Sequence, residues 1–155
     1  MPFRIRQASL GDAATVCAHR RAMFSDMGHQ DEAALDAMIT EFLPWVEKQM
    51  SAGHYLAWFL TTNSGEIVAG LGLWLMDWPP HMIAPAKPRA NILNVYTHPE
   101  FRRLGLARRL MDTALEHCRA HGIRNIILHA SPAGRALYAA MGFSQTNEMR
   151  LILED

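Results

Sequence analysis

Apolar residues recur along this chain with two different periods, and the changes of period divide it into elements. Phe3-Arg4-Ile5-Arg6 alternates and predicts a strand. Ser9-Leu10-Gly11-Asp12 has the serine–acid spacing of a helix N-terminus. A helix follows to about Ser25, with Ala13, Val16, Cys17 and Phe24 on one face. Met27-Gly28-His29-Gln30 breaks it. A second helix is expected from about Asp31, with Leu35, Met38, Ile39, Phe42 and Val46 at helical spacing. Pro44 is expected to kink or restart it, and Ser51-Ala52-Gly53 to end it.

The period then shortens. Tyr55–Thr62 is aromatic and β-prone, Asn63-Ser64-Gly65-Glu66 reads as a turn, and Ile67–Trp78 returns as the second strand of a hairpin. The near-continuous apolar run of the return strand predicts cover on both faces. Asp77–Ala90 carries Pro79, Pro80, Pro85 and Pro88 and reads as a long loop, a length seen in functional or disordered segments. Asn91–Thr97 is a third consecutive strand. The helix after it is the clearest in the chain: Ala107, Leu110, Met111, Ala114, Leu115 and Cys118 form one stripe, with Gly122 as its stop. Ile126–Ala130 is a strand, Ala133–Met141 a short helix, and Phe143 opens a last strand region that Glu148–Leu153 closes. Strands grouped between helices predict a mixed α+β domain around one central sheet, spanning residues 1–155.

Composition narrows the classes. A chain of 155 residues can bury roughly two-thirds of its unfolded surface, so it needs neither disulfide nor metal to fold. Lys+Arg and Asp+Glu balance at 15 each, so no global field draws in nucleic acid or an anionic membrane. Any anion site must be local. Cys17 and Cys118 fall on apolar helix faces and read as small buried hydrophobes. The N-terminal residues show no basic segment followed by an apolar run, and Ile67–Met76 is too short to span a bilayer. These features predict a cytoplasmic protein.

One segment concentrates positive charge. Arg102-Arg103-Leu104-Gly105-Leu106-Ala107 lies between a predicted strand and the start of the amphipathic helix, with Arg108 and Arg109 following. A turn there aims unpaired backbone N–H groups at one point, and the helix macrodipole adds positive charge. That combination binds phosphate. Basic residues in a first helical turn oppose the dipole, so a merely solvated turn leaves the cluster unexplained. Other clusters are weaker. His117 and His121 stand four apart on one helix without an evident third ligand, and no metal site is expected. Neither a Gly-x-x-x-x-Gly-Lys-Ser/Thr loop nor a Gly-x-Gly-x-x-Gly fingerprint occurs, which argues against a P-loop or dinucleotide fold. The four tryptophans and ten methionines read mainly as core, and Trp78, beside the proline loop, is the candidate pocket wall.

A strand, then Thr97-His98-Pro99-Glu100-Phe101, then Arg102-x-x-Gly105-x-Ala107, then an amphipathic helix resembles the acetyl-CoA signature of the GNAT N-acetyltransferases. Downstream, Ala136-Leu137-Tyr138 followed by Gly142-Phe143 resembles that family's second conserved segment. The element order is similar along nearly the whole chain. The resemblance implies a mixed, mostly antiparallel sheet with helices on both faces, splayed where acetyl-CoA enters. It implies that the backbone of Val95, Tyr96 and Thr97 pairs with the pantetheine arm. Backbone N–H groups of Arg103, Leu104, Gly105, Leu106, Ala107 and Arg108 would hold the pyrophosphate. Tyr138 would protonate the departing thiolate, a role its phenol suits because it stays protonated at neutral pH. Ser131 stands where many members carry an asparagine that contacts the cofactor.

The family often draws its general base from a Glu or Asp on the central strands. Asn91 and Asn94 occupy the strand before the turn, and neither can act as a base; Asn94 is a candidate acceptor contact. Asp77, at the end of the preceding strand, is the first candidate base; His54 and His81 are further candidates without support from spacing, His98 before Pro99 reads as shaping the turn, and a water chain to bulk solvent is the alternative. The acceptor is an amine of unspecified class. Transfer of a longer acyl group, transfer to a hydroxyl, and a non-catalytic acyl-CoA-binding sensor or interaction domain are the competing readings. The apolar composition is compatible with a homodimer.

Overall fold

The structure is a computed structural model and describes residues 2–155. Nine elements follow one another: β1 (Arg4–Gln7), α1 (Ala13–Asp26), α2 (Glu32–Ser51), β2 (Tyr55–Thr61), β3 (Ile67–Met76), β4 (Arg89–Thr97), α3 (Leu106–Ala120), β5 (Ile126–Leu128) and α4 (Arg135–Ala140). The strands form one sheet in the order β1-β2-β3-β4-β5. The first four are antiparallel neighbours, and β5 joins β4 in parallel.

Alternation along β2 sorts the core into two layers. Tyr55, Ala57 and Phe59 point to the face covered by α1 and α2, where they meet Val16, Cys17, Phe42 and Val46. Trp58 and Leu60 point the other way, toward Leu106, Leu110, Met111, Ala114 and Cys118 of α3. β2 and β3 are therefore buried on both faces, as their apolar runs predict. Both cysteines are free and buried. The three-layer α+β arrangement agrees with expectation. Among the described residues no helix is long and apolar enough to cross a membrane.

Two expectations are corrected. α2 runs unbroken through Pro44. Pro44 itself is exposed, while Phe42 and Val46 beside it are buried, so packing of the apolar face holds the helix across the missing N–H. The last strand is not formed: residues 141–155 carry neither helix nor strand. A strand needs a neighbour for its backbone groups, and this segment has none among the described residues.

Candidate active site

β4 carries the main irregularity of the sheet. Gly70 pairs with Tyr96 and Gly72 with Leu93, so Leu71 faces both Asn94 and Val95. Asn94 sits at φ 56°, a left-handed conformation that asparagine tolerates better than most residues. This bulge lies where β4 loses its other neighbour. β5 pairs with Ala90, Asn91 and Ile92 only, and ends at Leu128 opposite Ile92. From Leu93 to Thr97 the β5-side edge of β4 has no strand partner among the described residues. A gap opens there, bounded by Val95, Tyr96 and Thr97.

Side chains from three elements hold the bulge. Asn94 is 3% exposed. Its Nδ2 donates to the Tyr55 hydroxyl at 2.8 Å, and its Oδ1 accepts from Nη1 of Arg20 at 2.8 Å. The phenol of Tyr55 reaches β4 by crossing over Gly72; a Cβ at that position would lie 2.0 Å from the hydroxyl oxygen. Burial raises the Tyr55 pKa, so the hydroxyl stays protonated. The Arg20 guanidinium lies over Phe42 at 4.8 Å and Phe24 at 5.0 Å, and burial lowers its pKa. Beside it, His19 packs against Tyr96 (5.1 Å) and Phe59 (5.7 Å), and burial holds its pKa down at about 4, so the ring is neutral near pH 7. Sequence reading missed Arg20, Tyr55 and His19, because their partners lie far along the chain. Asn94 is brought to the gap, but the structure turns its side chain inward.

At the C-terminal end of β4 the chain enters a short 3₁₀ turn, Pro99–Phe101, with the His98 N–H donating to Val68 O at 2.8 Å. Arg103 (φ 63°) and Gly105 (φ 75°) then both take left-handed conformations before α3 starts. The first bond inside the helix runs from the Arg109 N–H to Gly105 O at 3.2 Å. The N–H groups of Arg103, Leu104, Gly105, Leu106, Ala107 and Arg108 find no backbone acceptor among the described residues. A Cβ on Gly105 would meet nothing within 4 Å, so the space over this row is open. No acidic residue occupies the first turn of α3. The arginines divide by role. Arg102 donates to Thr97 O at 2.9 Å and pairs with Asp26, tying the turn to α1. Arg108 pairs with Asp112 at 3.3 Å, and Arg109 donates to Phe3 O at 3.1 Å. Arg103 alone of the four has no side-chain partner among the described residues.

Tyr138 stands on α4, half-buried, packed edge-on to Phe143 at 6.0 Å and against the α3-side core. Burial raises its pKa, so it holds its proton at neutral pH. Ser131 Oγ accepts from the Gly134 N–H at 3.2 Å, which leaves its own O–H proton for another acceptor. Asp77 and Trp78 lie at the opposite end of the sheet. Met76 pairs with Arg89, so Asp77, one residue further on, is about six strand positions, roughly 20 Å, from Asn94. Asp77 is exposed, and the structure does not bring it to the bulge. Trp78 is 43% exposed and stacks on the Arg89 guanidinium at 4.2 Å, lining a shallow hollow with Pro79, His81 and Lys87. His117 of α3 and His121, just past its end, stack at 4.0 Å, and His117 also packs on Trp58 at 5.4 Å.

An open strand edge leading to a row of free N–H groups at a helix head is built to take an extended ligand that ends in phosphate. The sequence profile of the Acetyltransferase (GNAT) family matches residues 16–143. The chain belongs to the GNAT acetyltransferase family. A GCN5-related N-acetyltransferase from Ralstonia eutropha JMP134 is 36% identical and superposes with a TM-score of 0.91, covering 98% of this chain and 99% of that one. A predicted acetyltransferase from Clostridium acetobutylicum, solved with acetyl-CoA, shares the fold at 23% identity and a TM-score of 0.87, covering 98% and 96%. A mycothiol acetyltransferase from Geodermatophilus obscurus is 28% identical over 146 residues, which is 92% of this chain. The chain spans 44% of that curated relative's length.

Proposed function

We propose that this chain is an N-acetyltransferase that moves an acetyl group from acetyl-CoA to an amine by direct attack with both substrates bound. The observation that carries the reading is the gap between β4 and β5, which opens at the Asn94 bulge and leads to the unpaired N–H row from Arg103 to Arg108. The residues present fit acetyl-CoA: a free strand edge for its amide-bearing arm, N–H donors and the unpaired Arg103 for its phosphates, and open space over Gly105.

Acetyl-CoA supplies the activated acyl group. The protein supplies position, charge and protons. N–H groups of β4 beyond the bulge stand ready to polarise the carbonyl, because they are fixed in the sheet before the reaction begins. Tyr138, kept neutral by burial, donates its proton to the departing sulfur. The acceptor enters from the opposite end, between α1, α2 and the loop that carries Asp77 and Trp78. Proton transfer needs an approach of about 3 Å, so an amine at the bulge loses its proton through water to bulk solvent rather than to Asp77.

A second reading follows from the side chains at the bulge. Arg20, His19, Tyr55 and Asn94 gather there without a carboxylate, which also suits a domain that binds acyl-CoA as a sensor. Calorimetric titration with acetyl-CoA, with CoA and ATP as controls, tests the shared site. Thiol release across a panel of amines then separates the two readings. Binding of the CoA species but not ATP, with turnover on an amine, is expected. Binding without turnover on any amine selects the sensor, and a folded protein that binds no CoA species removes both.

A further inference from the structure

The α1 side of the bulge carries a positive charge that no group balances among the described residues. Arg20 is half-buried, with its guanidinium against the rings of Phe42 and Phe24. Its hydrogen bond goes to Asn94 Oδ1, a neutral acceptor, at 2.8 Å. Its Nε is buried and has no partner among the described residues. The carboxylates of α1 and α2 are engaged elsewhere or stand in solvent: Asp26 pairs with Arg102, Glu32 and Asp36 pair with Arg21, and Glu41 and Glu47 are exposed. The neighbouring His19 is neutral near pH 7, so Arg20 alone sets the sign of the charge here.

A guanidinium stays charged in a protein whatever surrounds it. A charge taken partly out of water without a counter-ion is costly, and proteins ordinarily pair it. Holding the bulge does not explain that charge, because a neutral donor would serve Asn94 Oδ1 with nothing ionic to bury. The charge also acts on the acceptor. An amine arrives as ammonium, and a fixed cation one hydrogen bond from the bulge repels it. An acceptor that carries its own negative group reverses the sign, since that group balances Arg20 while the nitrogen faces the gap.

On the acetyl-transfer reading, we propose that the acceptor is a small free amino acid whose own carboxylate pairs with the Arg20 guanidinium, so that Arg20 selects the substrate. Arginine suits the task because its planar fork can hold Asn94 on one arm and a carboxylate on another. The rings of Phe42 and Phe24 keep the fork in place. Asn94 is itself the bulge residue, so amine and carboxylate must lie within a few bonds of each other, as in an α-amino acid. Polyamines and other multiply cationic amines bring further ammonium groups against the same charge and are disfavoured.

The test compares each free L-amino acid with its primary amide, by thiol release from acetyl-CoA. For the preferred side chain, kcat/KM on the acid should exceed that on the amide by about 10–100-fold, the effect of one hydrogen bond to a charged group. The amide gives up its ammonium proton more readily, so this preference runs against intrinsic reactivity. Arg20→Gln should bring the ratio close to unity, and Arg20→Lys should keep part of it. Each ratio is taken within one protein, so loss of folded material cancels, and if Arg20→Gln does not fold the ratio in the parent protein decides. Equal use of acid and amide by the parent protein, better turnover of a linear polyamine, or a ratio that survives Arg20→Gln would each overturn the assignment. Turnover confined to amines without a carboxylate removes only this role of Arg20 and leaves acetyl transfer standing, whereas no turnover on any amine removes both.

Discussion

Replacing Gly72 by Ala probes the device that holds the bulge. A Cβ there would lie 2.0 Å from the Tyr55 hydroxyl oxygen, 2.5 Å from its Cζ and 3.2 Å from Leu93 O. Non-bonded contact needs about 3.5 Å, so the ring must retreat by more than 1 Å. Room is scarce: Tyr55 is 2% exposed, with Trp45 edge-on at 6.2 Å, and only a small cavity lined by Val16, His19 and Leu71 adjoins it. Overpacking of this kind costs about 1–3 kcal/mol. Displacing the phenol also breaks its bond with Asn94 and leaves buried polar atoms unpaired, about 1–3 kcal/mol more. The expected destabilisation is about 2–6 kcal/mol, read from urea denaturation as a lower midpoint at unchanged slope. Tyr55→Phe, which removes only the bond, should cost about 1–3 kcal/mol. Tyr55→Leu should relieve Gly72→Ala, so the pair of changes together should cost less than their sum. A Gly72→Ala protein within about 0.5 kcal/mol of the parent, with unchanged turnover, would falsify the link between this glycine and the bulge.

Three further outcomes are expected. Gly105→Glu imposes a left-handed strain of roughly 1–2 kcal/mol and sets a negative charge over the N–H row, so calorimetry should show acetyl-CoA affinity lost; unchanged affinity would remove the phosphate site from this turn. Tyr138→Phe should lower turnover roughly 100-fold while leaving acetyl-CoA affinity in place, and undiminished turnover would take the acid role from Tyr138. His19 has its pKa lowered to about 4 from 6.5, so the unfolded chain binds its proton first; stability should be full above pH 6.5 and fall as pH drops toward 4, by about 3 kcal/mol, and His19→Phe should flatten that slope in denaturation curves between these pH values. Asp12, held at about 2 mainly by the Arg6 guanidinium, acts only below that window.

What could be read from the sequence is what local periodicity and turn chemistry determine. β2, β3 and α3 announce themselves by their apolar spacing, and the Arg102–Ala107 turn by its place between strand and helix. Features set by distant partners could not be read. Nothing local says that Arg20 meets Asn94, 74 residues away, or that Arg102 turns from the phosphate row to Asp26. Signals existed: a glycine inside a buried strand marks close approach, and an asparagine inside a β-prone run marks a bulge. The separation of Asp77 from the bulge needed the β3–β4 register, which sequence spacing does not supply. The unformed strand after Phe143 shows the opposite limit, since alternation of apolar residues still requires a neighbouring strand, and none pairs with this segment among the described residues.

The two halves of the site therefore differ in what they are made of. On the proposed reading, the acetyl-CoA half is mostly backbone: a strand edge and the head of α3. The bulge between the halves is held by side chains, and one of them, Arg20, belongs to α1 on the acceptor side. On that reading, a shift of α1 would move the Arg20 guanidinium against Asn94 and so re-aim the β4 groups at the reacting carbonyl. On the proposed reading, changes in α1 and α2 that suit the site to a new acceptor are then constrained at Arg20, whereas the row from Arg103 to Arg108 is constrained by its backbone path and by the need to keep negative charge away from it. Arg20→Lys, which retains charge but loses the guanidinium's planar geometry, should lower turnover more than it lowers acetyl-CoA affinity. An equal loss in both would instead place Arg20 in the general stability of β4.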